Sequence, residues 1–164
     1  MWSSDRRRFL AIAACGLIGA CGFEPVYGPG GAGTVLAGRL RPDAPRTPDE
    51  YVLVREIETR LGRADAPDLS LGYATSVTEE RMAISSSNIT TRFNVIGTVE
   101  YRVTDTASGV VLSSGRVNSF TSYSATGSTV ATQAARRDAR ERLMGILVDL
   151  LIARLIADAE SLAP

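Results

Sequence analysis

Residues 89–103 constrain the fold more than any other stretch of this chain. Ile89, Phe93, Val95, Val99, Tyr101 and Val103 share one parity, and Thr90, Arg92, Asn94, Thr98, Glu100, Arg102 and Thr104 the other, with Ile96 the one apolar exception. Side chains of a strand point alternately to opposite faces. A pattern this long therefore predicts an antiparallel strand packed on a core on one side and wet on the other. Its register is strongly set, because a slip of one residue would carry the whole apolar set into water.

The flanking segments supply partners for it. Asp105-Thr106-Ala107-Ser108-Gly109 has the length and composition of a hairpin loop, and a strand over residues 110–123 pairs back. Alternation there is weaker, and Gly115 within it points to a bulge or a close backbone approach. On the other side, Leu69, Leu71, Tyr73 and Val77 predict a half-buried strand running toward Ile84, with Ser85-Ser86-Ser87-Asn88 as the turn.

Two helices complete the pattern. Thr47-Pro48-Asp49-Glu50 combines a cap, a proline at the first helical position and an acid three residues after the cap. Val54, Ile57 and Leu61 then repeat at helical spacing up to a stop at Gly62. Gly127-Ser128-Thr129 opens a long helix over residues 130–160, whose second half carries Leu143, Met144, Leu147, Leu150, Leu151, Leu155 and Ile156 for the core. Its first half, with Arg136, Arg137, Asp138, Arg140, Glu141 and Arg142, is expected over the surface as a solvated face. A short first strand is expected within residues 34–40, before Pro42, Pro45 and Pro48 break the backbone.

The N-terminus has a different character. Arg6-Arg7-Arg8 precede a 12-residue apolar run from Phe9 to Ala20, which as a helix covers about 18 Å of a hydrocarbon core about 30 Å thick. Too short to span, the segment has the parts of an export signal. Because Gly19-Ala20 stand directly before Cys21, the cut site resembles a bacterial lipobox, in which that cysteine is lipidated and becomes the first residue. Ile12-Ala13-Ala14-Cys15 has a similar form, but a cut there leaves an apolar stretch below the roughly 7–15 residues that signals use. Cys21 is preferred, and Gly22 rather than Asp after it fits transfer to the outer membrane. Asp5-Arg6-Arg7-Arg8-Phe9-Leu10 resembles the twin-arginine export pattern and equally an ordinary basic start, which leaves the export route open. Residues 1–20 are thus expected to be a signal peptide, residues 21–33 a lipidated, glycine-rich tether and residues 34–164 one folded domain.

Composition removes several function classes. The signal takes three Arg and one Asp with it and leaves 15 basic against 17 acidic residues, a net −2, which argues against a nucleic-acid binder. Every basic residue is Arg, so each basic site is a planar, permanently charged fork. There is no His and no Lys, so the usual activators of the many Ser and Thr hydroxyls are missing. With Cys15 removed and Cys21 lipidated, no thiol is left for catalysis or soft metals. Glu79-Glu80 cannot act together on one bond, since neighbours on a strand point to opposite faces. No enzyme, metal or cofactor is expected. The residues that do invite a ligand are on the polar sheet face: Arg92, Arg102 and, if the strands bring them in, Arg81 and Arg116. Arg forks suit phosphate and carboxylate, and the alternative is an ordinary solvated face.

The order of elements, led by Cys21 and the segment Gly22-Phe23-Glu24-Pro25-Val26-Tyr27-Gly28, resembles the LPS-assembly lipoprotein family LptE. The resemblance implies an α+β two-layer sandwich of two helices on a mixed, mostly antiparallel sheet of about four strands. It also implies an outer-membrane lipoprotein, facing the periplasm, that is partner and plug of the β-barrel LPS translocon and assists lipopolysaccharide assembly. A free-standing lipoprotein that binds a small ligand or a cell-envelope component is the alternative.

Overall fold

In the computed structural model, which describes residue 28 and residues 31–84 and 90–163, the long alternation becomes β3 (Thr90–Asp105) of a four-stranded sheet. Its neighbours are β1 (Leu40–Pro42), β2 (Leu69–Ile84) and β4 (Val111–Ser124), in the spatial order β1-β2-β3-β4. β1 runs parallel to β2 and the other pairs are antiparallel. A parallel pair needs a crossover, and helix α1 (Pro48–Leu61) makes it. After β4 come α2 (Thr129–Ala157) and the one-turn α3 (Ala159–Leu162). This is the expected α+β sandwich. Cys21, Cys15, the rest of the signal and the turn at residues 85–88 lie outside the described residues.

The odd parity of β3 is the core face. Val95, Val99 and Val103 are fully buried and Tyr101 nearly so. Opposite them α2 lays down Leu143, Met144, Leu147, Val148, Leu151 and Leu155. Gly97, on the same parity, sets how close the helix comes: a Cβ there would lie 2.9 Å from both Leu143 Cδ2 and Leu147 Cδ1. Gly115, exposed on the helix side of the sheet, pairs with Tyr101, whose hydroxyl lies 2.8 Å from where a Cβ would stand. The space is filled by an aromatic ring closing over the glycine, without a bulge or a backbone approach.

Local chemistry accounts for the helix starts. Thr47 Oγ1 accepts from Glu50 N at 3.3 Å, and Glu50 Oε2 accepts from Arg46 N at 2.6 Å. Ser128 Oγ caps α2 by accepting from Ala131 N at 3.2 Å. At the far end of α1, Gly62 has φ 77 and donates to Glu58 O at 2.9 Å, a backbone conformation that favours glycine.

Two expectations are corrected. The buried stripe of α1 is Leu53, Ile57 and Leu61, and Val54 is only half-buried. Residues 34–40 are not a strand: a 3-10 turn occupies Ala32–Val35, Leu36 is buried after it, and the strand starts at Leu40. Arg39 causes this. Its Nε and Nη2 bind the Asp68 carboxylate while its Nη1 donates to Val35 O at 2.8 Å and to Leu162 O at 3.1 Å. That fork folds the segment back on itself and pins α3 to it.

Candidate contact surface and its charged supports

With the odd residues turned to the helices, the even residues of β2, β3 and β4 form a second face that no described element covers. Along β3 it reads Arg92, Asn94, Ile96, Thr98, Glu100 and Arg102, and the register sets Ser124, Ser122, Phe120, Asn118, Arg116 and Ser114 beside them. Arg92 and Arg102 are exposed and stand ten positions apart, about 33 Å along the strand. Neither is paired with an acid among the described residues. Arg116 lies directly opposite Glu100 and forks onto its Oε1, with Nε at 3.0 Å and Nη2 as the second donor. Both partners are well exposed, so the pair contributes no more than about 1 kcal/mol.

Arg81 does not join this group. It stands opposite Phe93 on the parity of Glu79, which is the helix side of the sheet. The sheet therefore brings Arg102 and Arg116 together at one end, leaves Arg92 at the other and separates Arg81 from all three. Around Arg102, Glu100 and Arg116, the small residues Gly72, Ala74 and Ser114 leave an open groove of about 600 Å³.

The middle of the face holds an apolar pair that sequence reasoning had only half seen. Ile96 faces Phe120 across the β3–β4 ladder, and Phe120 is 64% exposed. The signal was the weak alternation of β4, where Val117 and Tyr123 turn inward and Phe120 outward. Phe120 thus belongs to the uncovered face.

On the helix side, the acid at Glu79 is more than surface. Its Oε1 accepts from Arg136 Nε at 2.7 Å and Arg140 Nη1 at 3.1 Å, and its Oε2 from Tyr123 Oη at 3.1 Å. Arg140 reaches on to Asp49 in the first turn of α1, with Nε 3.1 Å from Oδ1 and Nη2 on Oδ2. One carboxylate thereby ties β2, β4 and α2 together and, through Arg140, α1. Burial pushes the Glu79 carboxyl up, but the hydrogen bonds from Arg136, Tyr123 and Arg140 and the charge of Arg136 outweigh it and hold it below its ordinary range. Burial and the same carboxylate push the Tyr123 hydroxyl up. Tyr123 also stacks on Phe93, ring centroids 5.2 Å apart. Half of the arginine cluster at residues 136–142 is thus structural.

Two helices on one side of an open sheet and bare side chains on the other is an architecture found in solved bacterial lipoproteins. A lipoprotein of Caulobacter crescentus CB15 is similar at 22% identity over 81% of this chain and 98% of its own, with a TM-score of 0.64. The rare lipoprotein B from Shewanella oneidensis (11% identity, 74% and 94% covered, TM-score 0.55) and a lipoprotein B from Nitrosomonas europaea (15%, 74% and 84%, 0.56) have the same fold. At these identities the likeness establishes the fold. No curated protein sequence matches the chain. The model of the family described as LptE, lipopolysaccharide-assembly, matches residues 39–155. The chain belongs to that family, and its role is in lipopolysaccharide assembly at the outer membrane.

Proposed function

We propose that this protein is a lipid-anchored, non-catalytic partner of the outer-membrane barrel that translocates lipopolysaccharide, and that the bare sheet face is a surface it presents to the barrel wall or to lipid phosphate. The observation that carries the reading is the even parity of β3 and β4: amides and hydroxyls, one apolar pair, and arginines at both ends. The interior of a large outer-membrane barrel is polar, and a domain standing in it needs such a hydrogen-bonding surface. Arg92 and Arg102 are too far apart for one small ligand, whereas a wall or a row of glycolipids reaches both. The anchor is Cys21, and residues 34–164 are the folded body it tethers.

The test is Arg92→Glu with Arg102→Glu. Exposed, unpaired charges contribute little to stability, so the thermal midpoint should stay where it is. Pull-down of the barrel, or binding of a phosphorylated glycolipid, should weaken, and the loss should shrink at high salt. If both are unchanged in a folded double variant, this face is solvated surface and the reading of it is wrong.

A further inference from the structure

The last strand offers a second surface. Ala125 N donates to Thr91 O at 2.9 Å, and in the register that pairs Arg92 with Ser124 these two residues are directly opposed. Bonded pairs alternate with unbonded ones along an antiparallel ladder. The odd residues of β4 therefore bond to β3, and Ser114, Arg116, Asn118, Phe120 and Ser122 turn their N–H and C=O groups to the free edge. That edge is long, 14 residues. It has no proline, and its pairing is unbroken from Ser113 to Ser124, so of the usual protections of an edge strand it has only the charge of Arg116 and the register shift before Ser113.

Two side-chain ties bracket it. Arg142 Nη2 donates to Ser122 O at 3.4 Å, and Ser113 Oγ donates to Asp158 Oδ2 at 2.7 Å. Between these ties no described residue bonds the outward backbone groups of Ser114, Arg116, Asn118 and Phe120. Beside it α2 turns an apolar stripe outward: Ile146 and Leu150 are 38% and 40% exposed, and Ala153 and Ala157 continue the row. Leu150, Ala153, Arg154 and Ala157 face the edge across a groove of about 390 Å³.

We propose that β4 is a docking edge for an extended segment of the barrel partner, which adds a fifth strand by main-chain hydrogen bonds. Its alternate apolar side chains would rest on the Ile146 and Leu150 stripe. The occupant is chosen by charge: the charged residues of the groove are Arg116, already held by Glu100, and Arg154, which has no acid partner among the described residues. β4 itself carries no acid, so a second copy paired edge to edge brings no strand carboxylate to this edge, whereas a strand that carries an acid complements Arg154. Strands within a closed barrel wall have both edges paired, so the segment is a loop or terminal arm of the partner. This inference rests on the barrel partnership proposed above.

The test is Asn118→Pro in the full chain, co-expressed with the barrel. Proline removes an N–H that points to the free edge and leaves the bonds to β3 intact, so the domain should fold. Barrel capture should fall by about tenfold or more, as expected for losing strand addition at its centre. Unchanged capture by the folded variant overturns the proposal while leaving the sheet-face reading standing. Failure of the unmodified chain to capture the barrel overturns both. A dimer of the unmodified chain that Asn118→Pro dissociates makes the occupant a second copy and also overturns it. Should the proline variant not fold, hydrogen exchange of the unmodified chain decides: amides in residues 114–120 should slow in the barrel complex relative to the free chain, and equal exchange refutes docking at this edge.

Discussion

Glu79→Gln probes the link between the ion network and the fold. In the native protein the Glu79 side chain is 17% exposed, Arg140 28% and Arg136 45%. The contact with Arg136 is half in water and is discounted to about 0.5 kcal/mol. The shielded hydrogen bond from Arg140 is charge-assisted and contributes about 1.5–2 kcal/mol. Glutamine keeps the shape and still accepts from Tyr123, so the expected loss at pH 7 is about 2–2.5 kcal/mol. The pH dependence follows from the direction of the shift. Glu79 is held below its ordinary value of 4.5, so its contribution is complete above that value and is lost as pH falls through the folded pKa. Urea melts of both proteins at pH 7 and at steps below 4.5 should show a gap that narrows with acid at unchanged m-value. A gap of the same size at pH 7 and pH 3 would mean that the cost is steric. No gap at pH 7 would mean that the network does not hold the elements together.

Two further outcomes are expected. Val95 is fully buried while Asn94 lies on the outer face, so in urea melts Val95→Asp should destabilise by about 4 kcal/mol or more and Asn94→Asp by less than about 0.5; the reverse order would shift the register by one. Mass spectrometry of the membrane-extracted protein should find Cys21 as an acylated first residue, held almost permanently by two or more chains at about 0.8 kcal/mol per buried CH₂, and an unmodified Cys21 behind an uncut signal would refute the anchor.

What was legible in the sequence was what is decided locally. The parity of β3 needs only its own residues, and the start of α1 is written in Thr47, Pro48 and Glu50. The phase of the α1 stripe was off because Leu53 and Val54 are both apolar. Which one turns inward depends on where α2 lies, and that is not a local property. Residues 34–40 misled for a similar reason: Leu36 and Leu40 are buried, but several backbones can bury them, and the one chosen depends on Asp68, 29 residues away from Arg39. At the site, reading Glu79 and Glu80 as pointing oppositely was correct, since Glu80 is exposed and Glu79 is not. The partners of Glu79 come from positions 44 to 61 residues later, and no spacing announces them. Arg81 was grouped with Arg92 and Arg102 because only the pairing of β2 with β3 reveals its parity.

The arginines divide into two sets by what they touch, and the division bears on function. Arg39, Arg60, Arg136 and Arg140 each bridge elements far apart in the chain: Arg60 joins Glu56 of α1 to Asp149 of α2, with contacts of 2.7 Å to each. Fixing a long side chain costs conformational entropy, and in Arg39, Arg60 and Arg140 the cost is offset by partly shielded, multi-dentate contacts, while Arg136 adds a single, half-exposed one. Arg92 and Arg102 have no such partner among the described residues, so no described contact of the fold depends on their charge. Their forks stay free to meet an anionic or hydrogen-bonding surface. Changes to the two sets should therefore separate cleanly. Glu79→Gln lowers stability and leaves barrel capture intact at temperatures where the domain is folded, whereas reversal at Arg92 and Arg102 lowers capture and leaves stability intact. If each variant moved both quantities together, the helix side and the bare face of the sheet would not be independent, and the assignment of one to folding and the other to contact would fail.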